Sequence, residues 1–191
     1  VKATDAAGNI SAVSDTLSMT VDATAPAQPA ITTTTTLTTD ATPTIEGTAE
    51  AGSTVTLLSS GVAIGTTTAN GDGEFSITTS TLADSNYVLT VTATDAAGNI
   101  SAASTALNLT VDTTAPAQPS ITTTTSLTND STPAIEGVAE AGSTVTLFVD
   151  GVTTGVTTTA DGTTGAYTIT PAQLSDGAYA LTVKATDAAG N

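Results

Sequence analysis

The chain has 191 residues, of which 18 are acidic and only two are basic, so its formal net charge at pH 7 is −16. Such an excess of carboxylates argues against binding to nucleic acid or to anionic membrane surfaces, and it suits a cation as partner. The absence of cysteine and histidine excludes disulfides, thiolate metal sites and a histidine base, and no apolar run is long enough to insert into a bilayer.

One nine-residue sequence recurs along the chain, as VKATDAAGN at residues 1–9 and 183–191 and as VTATDAAGN at residues 91–99. Asp5 and Asp95 are 90 positions apart, and Asp95 and Asp187 are 92 apart because one loop of the last copy is two residues longer. A period of this length is that of one small domain, so the sequence predicts tandem copies of a single domain.

These repeats divide the chain into three parts. Residues 1–22 hold the last loop and the last strand of a preceding repeat, residues 23–112 form a complete repeat, and residues 113–191 form a repeat that lacks its last strand. We therefore expect the chain to be a slice of a longer array of covalently joined repeats.

The complete repeat consists of short segments in which apolar and polar residues alternate, separated by Gly, Asn and Asp. A period of two predicts β-strands, which we place in chain order at 29–36, 42–49, 53–60, 62–69, 74–80, 86–95 and 103–111. About seven strands in about 90 residues predict an all-β fold, a series of tandem immunoglobulin-like antiparallel β-sandwiches. Tyr87 and Tyr179 begin the sixth strand, where such a side chain can tie down the adjacent corner.

Prolines mark the boundaries between the repeats, in VDATAPAQP at residues 21–29 and VDTTAPAQP at residues 111–119. Proline cannot join a central strand ladder and it stiffens a linker, so each linker is expected to be short and extended. Stiff linkers predict that the repeats form an extended rod.

Acidic residues lie in three segments that a seven-strand sandwich places at the same end: the entering linker, the loop after the second strand and the loop after the sixth. In the middle repeat these segments hold Asp22, Glu50, Asp95 and Asn99, and in the last repeat they hold Asp112, Glu140, Asp187 and Asn191. Like charges repel unless a cation lies among them, and carboxylate, amide and carbonyl oxygens are the ligands that Ca²⁺ prefers. We predict one structural Ca²⁺ at each junction.

Each of these residues also has an ordinary alternative role. An aspartate before Gly-Asn often caps its own turn, and Glu50 suits the solvated end of a strand. Glu46 and Glu136 lie one step further along the same strand face, where they lie behind the site or in solvent. Asp40 and Asp130 belong to the opposite end, near the loop that holds Asp84 and Asp176, where they could approach the next junction. We expect them instead to be exposed turn residues.

The order of motifs resembles a known family. TDAAGN, a Ser-rich strand, TVDTTAPAQP and IEGVAEAGSTVTL follow one another as in the bacterial Ig-like repeats of giant secreted adhesins and biofilm-associated surface proteins. The resemblance covers the whole chain, and it implies a Ca²⁺-stiffened extracellular stalk at the bacterial cell surface. In such a stalk the partners are adjacent repeats or neighbouring copies, and other domains bind the host or surface ligand in adhesion or biofilm formation.

Three functions remain open, and none is enzymatic because no catalytic set or cleft is evident. The favoured one is a structural stalk. The second is a self-assembling fibre subunit, in which the incomplete last repeat borrows a strand from a neighbouring copy. The third is a carbohydrate- or surface-binding module that uses exposed threonine rows such as ITTTTTL at residues 31–37.

Overall fold

The computed structural model describes residues 1–191 and consists of strands and loops. It contains no helix that is long and apolar enough to cross a membrane. Its buried apolar side chains form two separate clusters, one within the middle repeat and one within the last repeat. The all-β fold predicted from the alternating pattern is therefore confirmed.

The middle repeat has eight strands in two sheets. They are β1 (Ala30–Ile31), β2 (Leu37–Thr38), β3 (Thr44–Thr48), β4 (Thr54–Ser59), β5 (Val62–Thr68), β6 (Glu74–Thr78), β7 (Ser85–Thr94) and β8 (Leu107–Val111). One sheet has the order β1-β3-β6 and the other the order β2-β8-β7-β4-β5. Every pair is antiparallel except β2 and β8, which run parallel.

The first predicted strand, 29–36, is wrong as a single element. The chain pairs with β3 at Ala30–Ile31, leaves that sheet, and joins the other sheet beside β8 at Leu37–Thr38. A threonine between these two pairings binds the adjacent strand β3: the Thr33 hydroxyl accepts a 2.8 Å hydrogen bond from the Glu46 amide. Residues 31–37 therefore do not present the flat threonine row that a binding module of that kind needs.

The two sheets of the middle repeat pack their apolar faces against each other. Alternate residues of β3, β4, β6, β7 and β8 are buried in this core, namely Ile45, Val55, Leu57, Phe75, Ile77, Leu89, Val91, Leu109 and Val111. The polar residues between them face outward. This inward and outward alternation is what the sequence period of two predicts.

The last repeat has six strands in two sheets of three. They are β9 (Ser120–Ile121), β10 (Ile135–Val138), β11 (Thr144–Val149), β12 (Val152–Thr159), β13 (Ala166–Ile169) and β14 (Leu181–Thr186). The sheets have the orders β13-β10-β9 and β12-β11-β14. β14, the counterpart of β7, is thus an edge strand, and nothing in the structure takes the position that β8 has beside β7.

A glycine lies under an aromatic ring in each repeat. A Cβ atom on Gly47 would collide with the carbonyl oxygen of Ala30 and the ring of Phe75, its cross-strand partner. In the last repeat Gly137 and Tyr167 form the same pair, and the Tyr167 hydroxyl donates a 2.9 Å hydrogen bond to the Ser120 carbonyl. Only glycine lets the first short strand of each repeat, β1 or β9, approach its neighbour β3 or β10 this closely.

A tyrosine near the start of the corresponding strand fixes a corner in each repeat, as predicted: Tyr87 lies in β7, and Tyr179 lies just before β14. The Tyr87 hydroxyl donates to the carbonyl oxygen of Ala83 at 2.9 Å, and the Tyr179 hydroxyl donates to that of Ser175 at 3.1 Å. Each bond reaches four residues back along the chain. Both side chains therefore connect the sheet to the loop that leads into it.

Residues 1–22 form no regular strand and are exposed. Their first part folds back on itself, with the Ser11 hydroxyl accepting a hydrogen bond from the Ala3 amide and the Ser14 hydroxyl accepting one from the amino group of Val1. Leu17, Met19 and Val21, the counterparts of Leu107, Leu109 and Val111, all lie in solvent.

Candidate junction site

The DAAGN segment forms a closed turn around the carboxylate of its aspartate. Asp95 Oδ1 accepts hydrogen bonds from the amides of Ala97 (2.9 Å) and Asn99 (2.8 Å). Its Oδ2 accepts a third bond, at 2.8 Å, from the side-chain amide of Asn99. Gly98 has φ +92°, a conformation that favours glycine, which explains the Gly-Asn pair in each copy of the motif.

These hydrogen bonds lower the pKa of the turn aspartates below the ordinary value of 3.8. At Asp95 the largest cause is the side-chain hydrogen bond from Asn99. At Asp187 the largest single effect is desolvation, which raises the pKa, but the hydrogen bonds from Asn191 and the turn backbone together outweigh it. The ionised carboxylates are thus stabilised by amide donors within their own loops.

The asparagine of the same turn reaches the entering linker. The Asn99 side-chain amide donates to the backbone carbonyl of Asp22 at 3.2 Å, and the Asn191 side-chain amide donates to that of Asp112 at 2.8 Å. The same contact at two junctions shows that the turn and the linker belong together. The structure therefore brings together the residues predicted for these two segments.

The side chains of the linker aspartates serve the linker itself. Asp22 Oδ1 accepts a hydrogen bond from the amide of Thr24 at 3.0 Å, and Asp112 Oδ1 accepts one from the amide of Thr114 at 3.2 Å. Both are turn contacts between a residue and the second residue after it. Each linker aspartate accepts the hydrogen bond from the neighbouring repeat through its carbonyl oxygen, not through its carboxylate.

The third predicted segment, with Glu50 or Glu140, makes no hydrogen bond to the turn or to the linker. The carbonyl oxygens of Glu50 and Glu140 accept bonds from Ser53 and Ser143 in their turns, whereas both carboxylates are exposed and accept no hydrogen bond. In the structure no group of three or more acidic side chains lies close enough to hold a metal ion. The carboxylates of Glu50 and Glu140 therefore take no part in the hydrogen bonds that join the turn and the linker at each junction.

Four further acidic residues are turn residues or lie in solvent. Asp40 and Asp130 each accept hydrogen bonds from the amide and hydroxyl of the threonine two residues later, Thr42 and Thr132. They are exposed, as the sequence predicts for turn residues. Glu46 and Glu136 lie on the exposed face of β3 and β10.

One residue that holds the linker was not among the predicted site residues. Asp84, in the loop before β7, accepts hydrogen bonds from the Thr113 amide (3.0 Å) and hydroxyl (2.8 Å) through Oδ1, and from the Thr114 hydroxyl (2.6 Å) through Oδ2. The hydroxyl of Thr114 is the largest cause of a lowered pKa at Asp84, followed by that of Thr113. In the sequence, the signal for this contact was the Thr-Thr pair of the linker, which lies against an aspartate only in the middle repeat.

The linker between the middle and last repeats is consequently held from both sides. Asp84 of the middle repeat binds Thr113 and Thr114, and Asn191 of the last repeat binds the carbonyl of Asp112, so three consecutive linker residues have partners in the two repeats they join. These bonds fix residues 112–114, and Pro116 and Pro119 restrict the backbone of the residues that follow. The arrangement can fix an orientation, and it places no nucleophile or base in a cleft.

Other proteins resemble this chain in sequence or in fold. The chain is 34% identical to Exoglucanase B of Cellulomonas fimi across 100% of its own length, but it spans only 18% of that protein. It superimposes on the fibronectin(III)-like modules of Clostridium thermocellum CbhA with a TM-score of 0.54, at 17% identity and with 84% of this chain and 86% of that one covered. That likeness shows the fold alone.

The chain has a weaker structural likeness to a biofilm-associated protein. Its BSP domain is 21% identical over 84% of this chain and 27% of that chain, with a TM-score of 0.31 that is too low to support a shared arrangement. Residues 27–113 and 117–191 match the family described as the bacterial Ig-like domain. The resemblance inferred from the repeated motifs is thereby confirmed, and the chain belongs to the bacterial Ig-like domain family.

Proposed function

We propose that this chain is a structural stalk, or spacer, module of a repetitive bacterial cell-surface adhesin. Its repeats would hold a ligand-binding part of the protein away from the cell and so support adhesion or biofilm formation. The chain itself would carry out no catalysis, in keeping with Ig-like and fibronectin-like domains, which are typically non-catalytic. Its location would be extracellular.

The observation that carries this proposal is the linker held from both sides. A spacer transmits position only if successive units keep a fixed angle, and a free linker would turn the array into a flexible string. Asp84 and Asn191 bind three consecutive linker residues between them, and the Asn99–Asp22 contact repeats half of this arrangement at the preceding junction. These contacts favour a rod.

The match to an enzyme from Cellulomonas fimi agrees with a spacer role. The chain corresponds to less than a fifth of that protein, so the shared part is a pair of modules within a much longer polypeptide. A module of this kind separates other domains whatever those domains do. We therefore place the spacer role first and regard adhesion as the purpose it serves in this protein.

Calcium remains part of the proposal, as the ion that would stiffen each junction. Asp95 Oδ2 accepts one hydrogen bond and keeps a lone pair for the ion, and the exposed Glu50 carboxylate accepts no hydrogen bond. The free side-chain oxygen of Asn99 and the second oxygen of Asp22 are further hard ligands within the same segments. The hydrogen-bonded turn is thus compatible with a calcium ion that binds through Asp95 Oδ2.

Small-angle scattering on the 191-residue chain tests the rod. We expect a long, sharply defined maximum dimension that broadens in the double variant Asp84→Ala with Asn191→Ala. The variant Asp72→Ala, which removes an exposed carboxylate that accepts no hydrogen bond, serves as the control for loss of charge and should scatter like the wild type. The rod is rejected if the wild type already shows the broad profile.

The same measurement in millimolar Ca²⁺ and then in EGTA separates the two sources of stiffness. Broadening of the wild-type profile in EGTA would show that the ion holds the junction. A profile that ignores Ca²⁺ but broadens in the double variant would assign the stiffness to hydrogen bonds and would remove calcium from the proposal.

A further inference from the structure

The turn between β5 and β6, residues 69–73, contains the only asparagine of the sequence that is followed by glycine. The pair is Asn70-Gly71, whereas the other asparagines with a following residue precede isoleucine, tyrosine, leucine or aspartate. Glycine has no Cβ atom, so no side chain of residue 71 shields the carbonyl carbon of the Asn70 side chain from the Gly71 backbone nitrogen. Sterically, this is the asparagine at which that nitrogen is freest to attack.

The turn is fixed at its ends and exposed at its tip. The Asn70 amide donates a 2.9 Å hydrogen bond to the Glu74 carbonyl, and the Gly73 amide donates one of 3.0 Å to the Asn70 carbonyl. The Gly71 amide donates no hydrogen bond, and Asn70 and Gly71 are both exposed. The Gly71 nitrogen therefore loses no hydrogen bond when it reacts, and water reaches both residues.

The side-chain oxygen of Asn70 lies between two amide donors. Its Oδ1 accepts hydrogen bonds from the amides of Asp72 (3.0 Å) and Glu74 (2.8 Å). When a nucleophile adds to the carbonyl carbon, this oxygen takes on negative charge, and amide donors that are already in place stabilise such an oxyanion. The Asn70 Nδ2 donates to the Glu74 carboxylate at 3.2 Å, which keeps the oxygen turned toward the two amides.

We propose that Asn70 is a site of spontaneous deamidation in the folded chain. The Gly71 nitrogen forms a bond to Asn70 Cγ, the bond between Cγ and Nδ2 breaks, and the proton of the Gly71 nitrogen leaves with Nδ2 as ammonia. A five-membered succinimide ring remains. Water then opens the ring at one of its two carbonyl carbons and gives either an aspartate or an isoaspartate, in which the backbone runs through the former side chain. The reaction consumes only water.

The last repeat shows that an aspartate fits this position of the turn. Asp161 is the counterpart of Asn70 and also precedes a glycine. Its Oδ1 accepts hydrogen bonds from the amides of Thr163 (3.0 Å) and Thr164 (2.7 Å). The aspartyl product therefore keeps both amide bonds to Oδ1 and loses only the bond to Glu74, whose carboxylate then faces a like charge. The isoaspartyl product adds one carbon to the backbone and breaks the turn.

Deamidation changes the charge at one end of the middle repeat. The Ala49 amide donates a 2.8 Å hydrogen bond to the Gly73 carbonyl, so the turn lies against the loop that holds Glu50. The pairing of β4 with β7 places the Asp95 turn at the same end. A new carboxylate at residue 70 makes this end more negative as the chain ages.

Peptide mapping by mass spectrometry after incubation at mildly alkaline pH tests the site. We expect a gain of about 1 Da at Asn70, divided between an aspartyl and an isoaspartyl peptide that separate by chromatography. Asn108, which is exposed and precedes leucine, should stay unmodified. Equal conversion of Asn70 and Asn108, or no conversion of Asn70, would overturn the proposal.

Gly71→Ala is the matched control for the attacking residue. Nothing lies within 4 Å of its Cβ position, so the variant should keep the fold. The added methyl group hinders the approach of the nitrogen and should slow the reaction by about tenfold or more. A variant that reacts as fast as the wild type would contradict attack by the Gly71 nitrogen.

The same chain unfolded in guanidinium chloride separates the effect of the turn from that of the Asn-Gly pair. Unfolding removes the two amide donors to Oδ1 and leaves the pair unchanged. We expect the folded chain to lose ammonia at Asn70 at least as fast as the unfolded chain. A slower reaction in the folded chain would show that the turn protects the side chain, and the proposal would fail.

Discussion

Asp84 Oδ2 and the Thr114 hydroxyl form a 2.6 Å hydrogen bond that joins the body of the middle repeat to the linker beyond it. Together with the two bonds from Thr113, this contact holds the pKa of Asp84 below 3.8. A carboxyl whose pKa is lower in the folded state than in the unfolded state stabilises the fold when it is ionised.

The variant Asp84→Asn should therefore lower the melting temperature near neutral pH. The contribution of Asp84 is complete above its unfolded pKa of about 3.8, and it is lost as the pH falls through the lower pKa of the folded state. We expect the gap between wild type and variant to close over that range in thermal unfolding by circular dichroism. Asp72→Asn controls for the removal of one negative charge, and a gap that stays constant from pH 6 to strongly acidic solution would contradict the hydrogen-bond assignment.

Leu109 and Met19 occupy equivalent positions in two copies of the repeat, but only Leu109 is buried. Leu109→Ala should lower the free energy of unfolding of the middle repeat by about 2–5 kcal/mol, because it leaves a cavity in the core. Met19→Ala should change it by less than about 0.5 kcal/mol at low protein concentration, because its side chain is already in solvent. Urea unfolding of both variants checks this, and similar losses would show that residues 17–21 are packed in solution.

Gly47 should not tolerate even a methyl group. Gly47→Ala places a Cβ atom against the Phe75 ring and the Ala30 carbonyl, and we expect a loss of about 1–3 kcal/mol from forced repacking. Gly71→Ala is the matched control, since nothing lies within 4 Å of its Cβ position. Equal urea midpoints for the two variants would mean that the first strand can move away from the ring at no cost.

Isothermal titration with CaCl₂ tests the ion directly. The proposal expects one site at each of the two junctions, with affinity in the range of about 10⁻⁴–10⁻³ M that is usual for extracellular modules. Asp187→Ala should remove one of the two sites and Asp40→Ala neither. An absence of binding heat, together with unchanged amide chemical shifts, would leave the turn aspartates with hydrogen bonding alone.

The strands that the sequence predicts well are those with a clear apolar period. The ranges 42–49, 53–60, 74–80 and 86–95 each lie within two residues of β3, β4, β6 and β7, because buried side chains alternate along these strands. The range 62–69 also matches β5, although half of its residues are Gly or Thr. The last predicted strand starts four residues too early, at 103 instead of Leu107. The first fails altogether, since a run of consecutive threonines carries no alternation and does not reveal where the chain changes sheets.

The sequence predicts the meeting of two of the three junction segments, but not how they bind. Topology alone places the loop of Asp95 and Asn99 beside the linker of Asp22, and that neighbourhood is observed. The choice between an oxygen that binds a cation and an amide that donates to a carbonyl depends on side-chain orientation, which residue spacing does not encode. The Asp84 contact depends in the same way on local geometry at Thr113 and Thr114.

The parallel pairing of β2 with β8 has a consequence when the array is pulled. Tension along the rod enters a repeat near β2 and leaves it after β8, and the bonds that join these strands run across the direction of the force. The amides of Thr110 and Asp112 bond to the carbonyls of Thr36 and Thr38, so these links are loaded together in shear and are not peeled apart one at a time. The middle repeat therefore has a mechanical lock at the point where force is transmitted.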